Sequence, residues 1–221
     1  MRKLIFVVLL LSLLIGCNID EYSNSSKIEK EQPIQKDRNE VTPSPRKSMN
    51  DYAPNPQVTD DRTLLSAGET FRDEKGAAKL LAYTKLDKGL TAGPIEMVLK
   101  EAKIIDYTPD YSLIDFYHSY THEEQFTFLK IFVEIENKSN EILNFAPVSH
   151  IQSDTGEEKT WAEDIYLEEL NGAIRPGEKK AGNIGFIVEN SDINSIQVTT
   201  SKVLNQDEKE TFEEQTVDFK F

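Results

Sequence analysis

The stretch QFTFLKIFVEIEN, residues 125–137, alternates with a period of two. Leu129, Ile131, Val133 and Ile135 share one face, while Phe126, Phe128 and Phe132 share the other with Lys130 and Glu134. That period is a β-strand's, since successive side chains of a strand point to opposite faces. The aliphatic set is the expected core. Lys130 and Glu134 are expected to meet water, so a charge reversal at Lys130 should shift stability by less than about 1 kcal/mol. The phenylalanines beside them require a cover, either from residues 63–80 or from a partner.

Working outward, Gly182 to Glu189 aligns Ile184, Phe186 and Val188, Ile193 to Thr200 aligns Ile196 and Val198, and Thr216 to Phe221 aligns Val217, Phe219 and Phe221. Each reads as a half-buried strand. In Pro94 to Tyr107, Ile95, Met97 and Leu99 alternate, then the phase shifts to Ala102 and Ile104. One extra residue near Lys100 or Glu101 accounts for this, as a bulge or as a strand passing between sheets. Turn residues separate the runs at 137–140, 154–156, 171–172, 175–178 and 190–194. Strand after strand with short turns and no amphipathic helix predicts an all-β, antiparallel sandwich over residues 63–221. Residues 63–79, TLLSAGETFRDEKGAAK, are read as a short helix from Glu69 to Leu80 or as an ordered lead-in, not as part of a sheet.

FLKIFVEIENKSNEIL (128–143) and IRPGEKKAGNIGFIV (174–188) resemble adjacent parts of the extracellular immunoglobulin-like domains of unknown function found on many Gram-positive lipoproteins. There a strand ending in a carboxylate-Asn-Lys/Ser turn is followed by a Pro-Gly-Glu turn and a Gly-x-x-x-Phe strand. The resemblance covers about residues 80–221. It implies an immunoglobulin-like sandwich of seven to nine strands and assigns no catalytic residue. The chain departs from the immunoglobulin pattern in having no cysteine pair, and its single Trp161 lies in an acidic, loop-like stretch.

At the other end, Met1-Arg2-Lys3 precedes an apolar run from Leu4 to Ile15 broken only by Ser12, followed by Gly16 and Cys17. This is the layout of a secretory signal over residues 1–16. Twelve helical residues at about 1.5 Å each cover about 18 Å of a hydrocarbon core about 30 Å thick, too little for a span. Leu14-Ile15-Gly16-Cys17 resembles the lipobox of bacterial lipoproteins, which implies cleavage before Cys17 and lipid, palmitate included, on that residue. Cys17 is the chain's only cysteine, so no internal disulfide competes for it. One acyl chain holds a protein marginally and two hold it stably, so a diacylated Cys17 needs no basic patch.

None follows it. Without Arg2 and Lys3 the 25 basic residues become 23, against 39 acidic ones, a formal charge of −16 from Asn18 onward. Such a chain is repelled by nucleic acid and by anionic lipid surfaces. Residues 17–62 carry five of the nine prolines and only Tyr22 and Tyr52 as aromatics. This composition predicts a disordered linker, whose flexible reach from residue 18 is about 35–40 Å. The alternative for residues 42–56, TPSPRKSMNDYAPNP, is a motif for a proline-binding partner.

Chemistry is sparse. In DYSLIDFYHSYTHEEQ, residues 110–125, His118 and His122 stand four apart, a spacing that can hold a zinc-like ion on a helical turn. The same loop and the strand after it present Phe116, Tyr117, Tyr120, Phe126 and Phe128 as a candidate interaction surface. There is no Gly-x-Ser-x-Gly elbow, no phosphate-cradling glycine loop and no Asp-x-Asp-x-Asp-Gly calcium loop. The acid pairs Glu163/Asp164 and Glu168/Glu169 follow from composition. The expectation is therefore a non-enzymatic, lipid-anchored protein on the extracytoplasmic face of the cell membrane, with no cofactor and an envelope protein as partner. The alternative is capture of a metal ion or small ligand by the 110–125 loop.

Overall fold

The computed structural model describes residues 54–221. The signal-like segment, Cys17 and the linker up to residue 53 lie outside the described residues. Among the described residues thirteen strands run in chain order: β1 (Thr70–Asp73), β2 (Gly76–Ala92), β3 (Ile95–Pro109), β4 (Phe126–Asn137), β5 (Leu143–Phe145), β6 (His150–Ser153), β7 (Glu158–Thr160), β8 (Gly172–Ile174), β9 (Lys179–Val188), β10 (Ser195–Thr199), β11 (Val203–Leu204), β12 (Glu210–Phe212) and β13 (Thr216–Lys220). One short helix, α1 (Ile114–Tyr117), lies between β3 and β4.

All strand pairs are antiparallel. One layer is a five-stranded sheet, β1-β2-β3-β4-β9, and the other consists of two four-stranded sheets, β13-β10-β6-β7 and β12-β11-β5-β8. The aliphatic faces of β3, β4 and β9 meet Phe145, Ile151, Ile174, Val198 and Phe219 of the opposing layer in the main core. Leu129, Ile131, Val133 and Ile135 all lie in it, as their spacing requires. The resemblance implied seven to nine strands; the described residues hold more because the second layer is broken into short pieces.

The phase shift in β3 is a bulge. Leu99 pairs with Val133 and Glu101 with Phe132, which leaves Lys100 as the extra residue. Beyond it Ala102 and Ile104 keep facing the core, and Glu101, Lys103, Ile105 and Tyr107 turn to the outer face.

Residues 69–80 are not helical. Thr70–Asp73 pairs with the start of β2 across a turn at Glu74 and Lys75, in register Asp73↔Gly76. Tertiary context overrides helix propensity here, because β4 takes one edge of β3 and the other edge is paired by β2 along its whole length. Gly76 is required: with φ at +151°, a Cβ there would lie 2.4 Å from the Thr108 carbonyl.

The linker expectation also changes at its end. Residues 54–66 lie as a strap across the outer face of the five-stranded sheet, with Val58 and Leu64 at 1% and 2% exposure. Asn55 starts the strap: its Oδ1 accepts from the Gln57 and Val58 backbone N–H groups, and its Nδ2 donates to the Tyr166 carbonyl. Together with α1 and residues 161–170, the strap encloses a second apolar core on Leu80, Ile105, Tyr107, Phe126 and Phe128. The middle of the sheet, at β3 and β4, is thus buried on both faces.

Candidate functional site

The 110–125 loop folds inward. Asp110 caps a single 3₁₀ turn over Tyr111–Leu113, and α1 follows. Tyr117, at 1% exposure, donates its hydroxyl to the Gln57 carbonyl at 2.8 Å and packs edge-on against Tyr107. Phe116 stacks on Tyr117 and Tyr120, and the Tyr120 hydroxyl donates to the Asp164 carbonyl. Phe126 and Phe128 are buried in the second core. Of the five aromatics expected to form an interaction surface, Tyr117, Phe126 and Phe128 are therefore core, while Phe116 and Tyr120 are half-buried cover resting on Tyr117 and on the 161–170 loop.

His118 and His122 are exposed, with ring centroids 5.9 Å apart. Among the described residues no group of three or more His, Cys, Asp or Glu side chains converges there or elsewhere. Two imidazoles alone fall short of the three or four protein ligands of a zinc site.

The arrangement that stands out is beneath the strap. Asp61 places its carboxylate between two lysines of the outer face, 2.8 Å from Lys103 Nζ and 2.7 Å from Lys130 Nζ. Glu101 Oε1 lies 3.5 Å from both ammonium groups. Lys103 also donates to the Asp61 carbonyl at 2.7 Å and lies over the Tyr83 ring. All four charges are almost wholly buried and sum to zero. Burial alone would raise the Asp61 carboxyl, but the two lysines outweigh it and hold it below its ordinary value. Such a quartet fixes where the strap docks, because removing any member strands an opposite charge in a buried site.

Next to it, residues 161–170 are held by Asp164, whose carboxylate accepts from the backbone N–H of Gly185, Tyr166 and Leu167. Burial pushes Asp164 up despite these bonds. The Tyr166 ring lies against Gly185, where a Cβ would come within 2.7 Å of it. Glu168 accepts from the Asn183 backbone and from Asn55 of the strap, so strap, loop and β9 are one hydrogen-bonded unit.

The sequence reading missed this site, although a signal was present. Lys103 and Lys130 alternate with core residues, so each falls on a face that also carries Ile105, Tyr107, Phe128 or Phe132. A lysine on an apolar face needs a buried anion. Asp61, flanked by Val58 and Leu64 in a stretch otherwise read as linker, is that anion.

A separate concave surface opens between β2 and the sheet carrying β10 and β13. It is a groove of about 810 Å³ lined by Lys85, Lys88, Asp154, Gln197, Asp218 and Lys220. Lys88 donates across it to the Asp218 carbonyl at 2.7 Å.

Residues 85–209 match the family described as a domain of unknown function, DUF4352. This chain belongs to the DUF4352 family. The DUF4352 match begins within β2 and ends just before β12, so it takes in most of the sandwich core and leaves the strap and β13 outside. The chain is 38% identical over 242 aligned positions, covering 100% of both chains, to the uncharacterized protein YdhF of Bacillus subtilis (strain 168). It is 25% identical over 151 positions, covering 64% of this chain and 65% of the other, to the SPbeta prophage-derived uncharacterized lipoprotein YonS of the same strain. Among solved structures, it is similar to a conserved hypothetical protein from Bacillus anthracis (TM-score 0.34, 11% identity, covering 59% of this chain and 95% of that one). It is also similar to the yjhA protein of Bacillus subtilis (TM-score 0.33, 13% identity, 52% and 78% coverage). Among the described residues no helix is long and apolar enough to cross a membrane.

Proposed function

We propose that this DUF4352 protein is a lipoprotein, anchored through lipid on Cys17, that presents its sandwich on the extracytoplasmic face of the cell membrane as a non-enzymatic interaction or accessory domain. The observation that carries this reading is the run from Met1 to Cys17, a basic start, a short apolar stretch and Leu14-Ile15-Gly16-Cys17. A relative described as a lipoprotein supports it. Asp61, Tyr117 and Asp164, whose ionisation the fold shifts, each hold the strap or a loop in place through ion pairs or hydrogen bonds, which favours a structural part for them over catalysis. With Tyr117, Phe126 and Phe128 enclosed, the groove between β2 and β13 is a concave surface open to a partner, and the envelope is where that partner is expected.

Cell fractionation with mass spectrometry tests the anchor. The wild-type protein should sediment with membranes and begin at a diacylated Cys17, and Cys17→Ser should appear as unprocessed precursor or as released protein. A mature chain that begins elsewhere, or a Cys17→Ser protein processed and retained like wild type, would sink the reading. A photo-crosslinking residue at Gln197 should capture an envelope protein that the same residue at Tyr111 does not.

A further inference from the structure

Beneath the strap, beside the charged quartet, lies a narrow cavity with room for about 20 Å³. Asn55, Asp61, Glu101, Lys130, Tyr166 and Asn183 line it, so it touches the strap, β3, β4, β9 and the 161–170 loop at once. Two polar atoms of these residues, the Tyr166 hydroxyl and Asn183 Oδ1, are buried and have no hydrogen-bond partner in the protein. Their residues are only 2% and 5% exposed. A buried polar atom left unpaired costs about 1–3 kcal/mol, and the large majority of such atoms find a partner.

The Asn183 amide cannot relieve itself by turning over. Its Nδ2 donates to Glu168 Oε1 at 3.3 Å, and the turned amide would set its oxygen against that carboxylate. Asn183 therefore offers an acceptor. Tyr166, whose hydroxyl burial keeps protonated, offers a donor. The available volume exceeds the roughly 10–15 Å³ that one water needs, and it is far below the roughly 300 Å³ where small-molecule sites begin. The charges around it decide the rest. Lys103 and Lys130 already balance Asp61 and Glu101, and Arg62 balances Asp60 at the cavity's edge, so a cation entering meets a neutral cluster with the Lys130 ammonium on its wall, and an anion meets the carboxylates of the same cluster.

We propose that this cavity is a binding site for one resident water molecule, which accepts from the Tyr166 hydroxyl and donates to Asn183 Oδ1, with its second hydrogen turned to the carboxylates of the quartet. The water joins the loop to β9 under the strap, so that docking of the strap and docking of the loop become one event. Its exchange path runs past the Asp60–Arg62 ion pair at the cavity's edge.

Two measurements on the full chain test this. A crystal structure that resolves ordered solvent should show one peak within about 2.6–3.2 Å of both Tyr166 Oη and Asn183 Oδ1. Oxygen-17 relaxation dispersion should count one fewer long-lived internal water in Tyr166→Phe than in wild type, since that change keeps the ring over Gly185 and removes only the donor. Empty density, a direct Tyr166–Asn183 hydrogen bond that closes the cavity, or a peak with the short contacts of a metal ion would each overturn the proposal. An unchanged dispersion amplitude in Tyr166→Phe would do the same.

Discussion

The ammonium of Lys130 lies 2.8 and 2.7 Å from the two carboxylate oxygens of Asp61, a residue 69 positions earlier in the chain. The pair closes the outer face of the central sheet: Lys130 comes from the middle of β4, and Asp61 comes from a segment whose composition reads as linker. Lys103 and Glu101 complete the balance.

Breaking the pair on one side should be costly. Lys130→Met leaves two carboxylates facing one lysine and should lower unfolding free energy by about 3–5 kcal/mol. Asp61→Asn strands the lysines in the same way. The double variant leaves Lys103 and Glu101 as a balanced pair, so it should lose about 0.5–3 kcal/mol less than the sum of the singles. Urea unfolding of the four proteins checks this, and strict additivity would dissolve the quartet as a unit.

Acid should loosen the strap through Asp61. Its carboxyl is held below 3.8 in the folded state, so the stabilisation is fully present above that value and is lost as pH falls through the lowered one. Asp164 works in the opposite sense. Raised above 3.8 by burial, it favours the folded state most when protonated, and that contribution is lost as pH rises through its folded value. Thermal melts from neutral pH downward should therefore fall less steeply in Asp61→Asn than in wild type, and more steeply in Asp164→Asn.

The two faces of β4 should respond alike to a buried carboxylate. Ile131→Asp places it in the main core, and Lys130→Asp adds a third carboxylate beside Asp61 and Glu101. Both should fail to yield a stable fold, contrary to the tolerance that alternation alone predicts for Lys130. Phe128→Ser should cost about 3–5 kcal/mol, as expected for a core aromatic. Circular dichroism melts separate these outcomes from a surface substitution.

Gly185→Ala should push the Tyr166 ring off β9, because the new Cβ would sit 2.7 Å from two of its ring carbons. The cost should be about 1–3 kcal/mol. In the double variant Gly185→Ala/Tyr166→Ala the clash is absent, so the alanine at 185 should add little, by denaturant titration, to the loss caused at 166.

The domain boundary should lie before the strap. A chain starting at residue 54 keeps Asp61, Val58 and Leu64, whereas one starting at residue 63 exposes Phe128 and leaves Lys103 and Lys130 with Glu101 alone. The shorter chain should melt lower and bind a hydrophobic dye. Equal melting of the two would show that the strap contributes nothing to the fold.

The sequence by itself determined the all-β class, the faces of β3, β4, β9, β10 and β13 that enter the main core, and a phase shift near Lys100, because a period of two is a local property that survives any tertiary arrangement; that the shift is a bulge, and that β2 is a strand at all, came from the fold. It also carried the lipobox-like run at Cys17, which needs no fold to be read. Only the tertiary structure decided the outer face. Whether Phe128 and Lys130 meet water, a partner or the chain's own strap depends on where residues 54–66 travel, and alternation is silent on what lies across a sheet. The same holds for Glu69 to Leu80, which became a hairpin because β3 offered a free edge to pair with. Asp61 was illegible for the same reason: its meaning comes from two lysines, 42 and 69 residues away, that only folding brings to it.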